Sequence, residues 1–304
     1  MAALNIGVDI GGTNLRVGVV RELEVIYQQR FPADFSAICK QHAPEAALQE
    51  ILRITSAALL QAKAAYPDVQ HVGIGFPGFI DPKSGQVLQS PNLPGLRKVD
   101  LAAALSRLIE LPVRLENDAL VAALGEYKLL ETPPRSMVYI GLGTGVGGGL
   151  IHAGLPYPGD HGIAMEIGHL IVEANGRQCG CGNKGCLEQY AAAPGVIASY
   201  AELSGQHLVA HDIAARADAD DEAALAAYAL AGRYLGQAIA HIVKTVDPEL
   251  VLVGGGMSQA WRHIAPELET QLDNDLVPVL RNKITMAVSE SGDLAGIIGA
   301  AYLS

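Results

Sequence analysis

Across 304 residues the chain has only four cysteines, one tryptophan and four phenylalanines, and it has no excess of basic residues. The formal charge is −11, from 21 Lys+Arg against 32 Asp+Glu, so it lacks the cationic surface that a phosphate backbone attracts. No run of consecutive apolar residues approaches the roughly 18 of a membrane-spanning helix. Met1-Ala-Ala-Leu leads straight into a pattern containing Asp9, with no basic stretch followed by an apolar one. These absences lead us to expect a soluble, cytoplasmic protein that binds no nucleic acid and no membrane. In a reducing compartment, clustered thiols are metal ligands more often than disulfides. Three of the four, Cys179, Cys181 and Cys186, share one glycine-rich loop. The length suffices for two domains of ordinary size or for one large α/β domain with a cleft.

The apolar pattern alternates between strand and helix. "LNIGVDI", the break "GGT" and "LRVGVV" read as strand, glycine turn and strand. "PEAALQEILRITSAALLQAKAAY" has helical spacing and no breaker. "VQHVGIGF" is a buried strand entering a Pro/Gly-rich stretch from Pro77 to Gly95, long enough to suggest a functional loop. Strand "PVRLE" precedes helix "NDALVAALGEY", where Asn117 and Asp118 can cap the free N–H groups. "RSMVYIGLGTGVGGGLIHAG" repeats the opening strand, Gly/Thr turn and strand. The chain is then helical from about Gly195 to Val246, with the strand "LVLVGGGMS" next. This order predicts an α/β protein of two similar lobes around a cleft. The expected small lobe is 1–118 plus 290–304, and the large lobe is 119–289.

"GTGVGG" matches the dinucleotide fingerprint through Gly143, Gly145 and Gly148, but it runs into an apolar strand where the fingerprint requires a helix. A Walker A sequence is absent. Two glycine turns remain, each with a threonine, Thr13 or Thr144, and each able to present backbone N–H groups to phosphate oxygens or simply to make a tight hairpin. Asp9, at the end of a buried strand beside such a turn, is costly unless solvated or serving a cation.

"IGVDIGGTNLRVGVV", "GIGFPGFID", "LENDALVAALGEY", "IGLGTGVGGGLI", "EIGHL", "CGCGNKGCLE" and "LVLVGGGMS" occur in the order and approximate spacing of the ROK family (repressors, open reading frames, kinases), which the chain resembles from end to end. The resemblance implies the actin-like, ribonuclease-H-type ATPase fold and an ATP-dependent sugar kinase. It implies a structural zinc on His169, Cys179, Cys181 and Cys186, a set that closes a tetrahedron and leaves no position for catalytic water. It makes Asp118 the general base for the sugar hydroxyl, at a helix start that favours a carboxylate. Asp9 would hold Mg2+. Gly11, Gly12, Thr13, Gly143, Thr144 and Gly145 would cradle phosphates, and Gly255 with Gly256 would border adenine. Gly78, Asn92, Asn117, Glu166, His169 and Glu188 would contact the sugar together with Asp118. A homodimer is also implied.

The chain departs from the family pattern at Asn14, where Lys is common, at Met165, where Gly is usual, and at "AAAP" 191–194. The last two bear on which sugar is taken. Phosphorylation of a hexose 6-hydroxyl is expected, with glucose leading. N-acetylglucosamine, N-acetylmannosamine, fructose and allose are the alternatives, and the sequence leaves open another phosphoryl donor such as polyphosphate. Sugar-responsive regulators of the family carry a helix-turn-helix domain ahead of the first glycine motif. Only about five residues precede it here, which disfavours that class. A sugar-binding protein that has lost catalysis is disfavoured by the presence of both Asp9 and Asp118.

Overall fold

The structure, a computed structural model, describes residues 3–11 and 14–303. They fall into two units. One takes the chain up to Arg135, Gly149–Ala164 and the residues from Ser291 on; the other takes Ser136–Gly148 and Met165–Glu290.

The first unit opens with antiparallel strands β1 (Leu4–Ile10), β2 (Asn14–Arg21) and β3 (Glu24–Pro32). Helices α1 (Phe35–Gln41) and α2 (Pro44–Ala65) come next. Pro44 starts α2, where a missing N–H costs nothing, and Ala47, Ile51, Thr55, Ala58, Leu59 and Ala62 form its buried stripe. Strand β4 (Val69–Phe76) pairs parallel with β1 and is buried over its last five residues, as a strand covered on both faces must be. The stretch expected as a loop carries β5 (Phe79–Ile80) and β6 (Val87–Gln89), which join β7 (Arg97–Val99) in a small antiparallel sheet. Asp100 caps α3 (Leu101–Ile109), and β8 (Val113–Asn117) completes the sheet order β3-β2-β1-β4-β8 before α4 (Asp118–Leu129).

A C-terminal helix, Leu294–Ala301, returns to this unit and packs with almost no side chain between backbones. A Cβ on Gly7 would stand 1.9 Å from the Ile297 carbonyl oxygen, one on Gly73 1.7 Å from that of Ala300, and one on Gly125 1.9 Å from that of Ala295. That packing explains why α4, expected to open the large lobe at residue 119, belongs to the first unit.

In the second unit β9 (Ser136–Leu142) is followed by the glycine turn and β10 (Val146–His152), within which the chain passes to the first unit after Gly148. There β11 (Leu155–Pro156) pairs with the end of β10. A 3-10 turn, Ile167–His169, leads to the cysteine loop, then to α5 (Glu188–Ala191), α6 (Ala193–Ser204), α7 (Ala210–Asp218) and α8 (Glu222–Val246). Strands β12 (Leu250–Gly254) and β13 (Thr285–Val288) run parallel to β9 in the order β9-β12-β13, with α9 (Trp261–Asp275) between them in sequence. Gly232 and Gly236 of α8 let α9 approach closely, since a Cβ there would stand 2.2 Å from Ile264 O and 2.5 Å from Leu268 O. Among the described residues, no helix is long and apolar enough to cross a membrane.

Gly125→Ala is expected to lower the unfolding free energy by about 3 kcal/mol, at the upper end of ordinary overpacking, because backbone rather than a flexible side chain must yield. Urea denaturation beside the parent protein measures it.

Candidate functional site

In the first unit, Asp9 is the penultimate residue of β1 and faces Arg16 of β2 as its cross-strand partner. The Arg16 guanidinium lies 3.3 Å from the Asp9 carboxylate and 2.7 Å from that of Asp293. Burial pushes the Asp9 carboxyl above the usual range, Arg16 opposes this, and the charge of Asp293 adds to the rise. One guanidinium thus serves two carboxylates, leaving room for a further positive charge, which fits a cation-binding role for Asp9. Arg16 is absent from the motif reading, although counting back across a hairpin from Asp9 finds it. Gly11 N–H donates to Asn14 O at 2.9 Å. Gly12 and Thr13 lie outside the described residues.

The β8–α4 junction is built around Asn117. Its side-chain oxygen accepts from the N–H groups of Ala119 and Leu120 at 3.0 and 3.1 Å, and its amide donates to Gly78 O at 3.2 Å. One side chain therefore caps α4 and ties the helix start to the turn after β4. Asp118 is the first residue of α4, and its carboxylate accepts from Ala119 N–H at 2.8 Å. Gly78 needs the space it has, because a Cβ would stand 2.9 Å from Gln89 O. Buried Ser90 binds the same loop by donating to Pro77 O and accepting from Leu93 N–H. Asn92 sits exposed at its tip.

In the second unit the residues after β9 serve different ends. Gly143 has open space where a Cβ would stand, Thr144 is exposed, and Gly145 faces the carboxylate of Glu188, whose Oε2 accepts from Val146 N–H at 3.1 Å. Glu166 occupies the centre of a tight turn at φ −68° and ψ 55°, with Ile167 N–H donating to Met165 O at 2.7 Å. Met165, at φ 65°, adopts the left-handed region that favours glycine. Burial raises the Glu166 carboxyl, His169 draws it back, and the nearby charge of Glu188 raises it again.

His169 stands between two groups. Its Nδ1 is 3.8 Å from Cys179 Sγ and its Nε2 is 3.8 Å from the Glu166 carboxylate. Cys181 and Cys186 bring their sulfurs to 3.6 Å, and the four ligand atoms of His169, Cys179, Cys181 and Cys186 all lie within 4.8 Å of one another. A tetrahedron with zinc–sulfur bonds of about 2.3 Å has edges of about 3.8 Å, so this set fits the ion. The thiols fit it chemically too. Burial and the neighbouring thiols push Cys186 up to about 12, an opposition to ionisation that a bound cation reverses. The loop has a second anchor. Arg177 donates to Gln189 O, Gly195 O and Ser199 Oγ at 2.8, 3.1 and 3.0 Å and lies 4.7 Å from the centre of the Tyr190 ring.

A cavity of about 390 Å³ adjoins the glycine turn, lined by Gly143, Ala193, Ala210, Ala214, Tyr228, Gly256 and Met257, among others. Gly256 borders it, whereas Gly255 is not among its lining residues. A Cβ on Gly255, at φ 85°, would stand 2.3 Å from Leu142 O, which makes that glycine a packing requirement. Motif reading misses Ala210, Ala214 and Tyr228 because they come from α7 and α8, whose spacing differs in no way from ordinary core.

The ROK family model matches residues 5–304. The chain is 31% identical to a glucokinase of Halalkalibacterium halodurans, over 98% of this chain and 94% of that protein. It is 34% identical to an N-acetylmannosamine kinase of Escherichia coli, over 98% and 97%. A ROK family glucokinase from Streptomyces griseus, solved with glucose and AMPPNP, superposes with a TM-score of 0.81 at 30% identity, covering 98% of each chain. The mixed α/β architecture is the actin-like ATPase fold of these sugar kinases. With matching motifs, architecture and near-complete coverage, the chain belongs to the ROK family.

Proposed function

We propose that this protein is an ATP-dependent hexose kinase that phosphorylates the 6-hydroxyl of a sugar, glucose before N-acetylglucosamine, N-acetylmannosamine, fructose or allose. The observation that carries this reading lies in the second unit. One glycine turn borders a largely apolar cavity of about 390 Å³ at Gly143 and meets the Glu188 carboxylate at Gly145 and Val146. Such a volume suits a nucleotide base, and Gly143 and Gly256 let a flat ring approach the backbone. Full-length likeness to a glucokinase and to an N-acetylmannosamine kinase supports a hexose kinase.

In the proposed mechanism Asp118 receives the proton of the 6-hydroxyl as its oxygen attacks the γ-phosphorus and the bond to the β-phosphate oxygen breaks. The α4 cap by Asn117 fixes where that carboxylate starts. Asn117, Gly78 and Asn92 are assigned to the sugar hydroxyls, as are Glu166, His169 and Glu188, since an unpaired buried hydroxyl costs about 1–3 kcal/mol. Gly11, Gly12, Thr13, Gly143, Thr144 and Gly145 are assigned to the phosphates. Mg2+, held by Asp9, would neutralise charge on the transferring phosphates. Zinc on His169, Cys179, Cys181 and Cys186 would be structural, fixing the His169 ring so that Nε2 faces Glu166 and the sugar. A homodimer in the cytoplasm completes the reading.

Asp118→Asn is expected to keep sugar binding and to lower kcat about a hundredfold or more; near-parental kcat removes Asp118 as the base. Cys181→Ser is expected to release zinc and lower the melting temperature, and unchanged zinc by elemental analysis with unchanged melting would defeat the structural site. An ADP-release assay with Mg-ATP across the five sugars tests the activity itself. One sugar is expected to dominate in kcat/KM, and no turnover on any would overturn the hexose kinase.

A further inference from the structure

Gly145 is read from sequence as a phosphate-cradling residue. Its surroundings in the structure give a different reason for glycine. Its φ does not lie in the left-handed region, so the backbone accepts other residues. What the position lacks is space. Among the described residues, a Cβ there would meet within 4 Å only the Glu188 carboxyl group, at 2.6 Å from Oε2 and 3.6 Å from Cδ. The same Oε2 accepts from the N–H of Val146, the next residue. The missing side chain and the adjacent donor together form a seat for one carboxylate oxygen, which leaves Oε1 to a ligand.

The rest of Glu188 is fixed from the other direction. It comes after Cys186 and Leu187, whose N–H donates to Leu170 O at 2.9 Å, and Arg177 grips the carbonyl of Gln189 at 2.8 Å. With its main chain held by the cysteine loop and its carboxylate held by the turn, the side chain is constrained at both ends. Gly143, two residues before Gly145, faces open space and lines the cavity. The turn therefore divides its work, with Gly143 toward the cavity and Gly145 toward Glu188.

We propose that Gly145 is a positioning residue for the sugar-binding carboxylate of Glu188, so that a glycine expected to serve the phosphates acts on the acceptor. The proposal rests on the assignment of Glu188 to the sugar. It separates function from stability, because the atoms a new Cβ would displace are the terminus of a side chain and not backbone. Gly145→Ala should therefore fold as the parent does while moving the carboxylate off Val146 N–H.

The test measures the affinity of the full-length protein for glucose, or for the hexose that leads the activity panel. Calorimetry without nucleotide is run on the parent, Gly145→Ala, Glu188→Gln and the double variant, each with its melting temperature. Gly145→Ala is expected to weaken sugar binding about tenfold, as losing a hydrogen bond to a charged group does, at nearly unchanged melting. The double variant is expected to bind no more weakly than Glu188→Gln alone, since both changes remove the same positioned oxygen. Additive losses would overturn the proposal. So would unchanged sugar affinity in Gly145→Ala with a raised KM for Mg-ATP, which would return Gly145 to the donor alone and leave Glu188 a sugar contact. Unchanged affinity in Glu188→Gln removes Glu188 from the sugar contacts, and the proposal falls with that assignment.

Discussion

The first unit depends on the approach of the C-terminal helix to β1, β4 and α4, close enough that carbonyl oxygens fill the places of absent side chains. Gly7, Gly73 and Gly125 accept the carbonyls of Ile297, Ala300 and Ala295, and in return Gly299 accepts Val121, whose oxygen lies 1.9 Å from where a Cβ would stand. Contacts of this kind gain little from any one side chain and tolerate almost no added volume. They fix the central strand that carries Asp9 and the helix start that carries Asp118. The position of two candidate functional carboxylates thus depends on packing that contains no functional group.

The second unit solves a similar problem with polar groups. Glu166, His169 and Glu188 are each held by something other than a ligand: a tight turn at Glu166, the thiol cluster at His169, and Val146 N–H at Glu188. Burial raises the Glu166 carboxyl, the imidazole between the thiol cluster and the carboxylate moderates it, and the charge of Glu188 adds to the rise. Met165, in a left-handed conformation where glycine fits without strain, keeps its Cβ next to this group. Such strain is tolerated where surrounding contacts over-determine the backbone.

Much of this was legible in the sequence because it is local. Strands and helices come from apolar periodicity, and β9-turn-β10 appears as read from its Gly/Thr break. The thiol cluster was legible from spacing, with His169 added by family resemblance. The unit boundary was not, since the partner of α4 lies far along the chain and no local pattern announces a helix that fits against Gly125. Gly145 and Gly255 illustrate the same limit. Sequence marks both as glycine, but only the structure shows that a carboxylate fills one place and the Leu142 carbonyl the other. The cavity walls from α7 and α8 look like core until the fold brings them together.

The chain passes between units inside β10, and the helix that closes the first unit begins only at Leu294. During synthesis the amino-terminal strands emerge first, yet the glycine surfaces that receive that helix stay uncovered until almost the whole chain has been made. At about 5–20 residues per second this is an interval of many seconds. The second unit, begun later, has all its segments by Glu290 and is complete sooner. The first unit thus has all its segments only after the second has all of its own, and its packing glycines stay without their partner helix for the longer time.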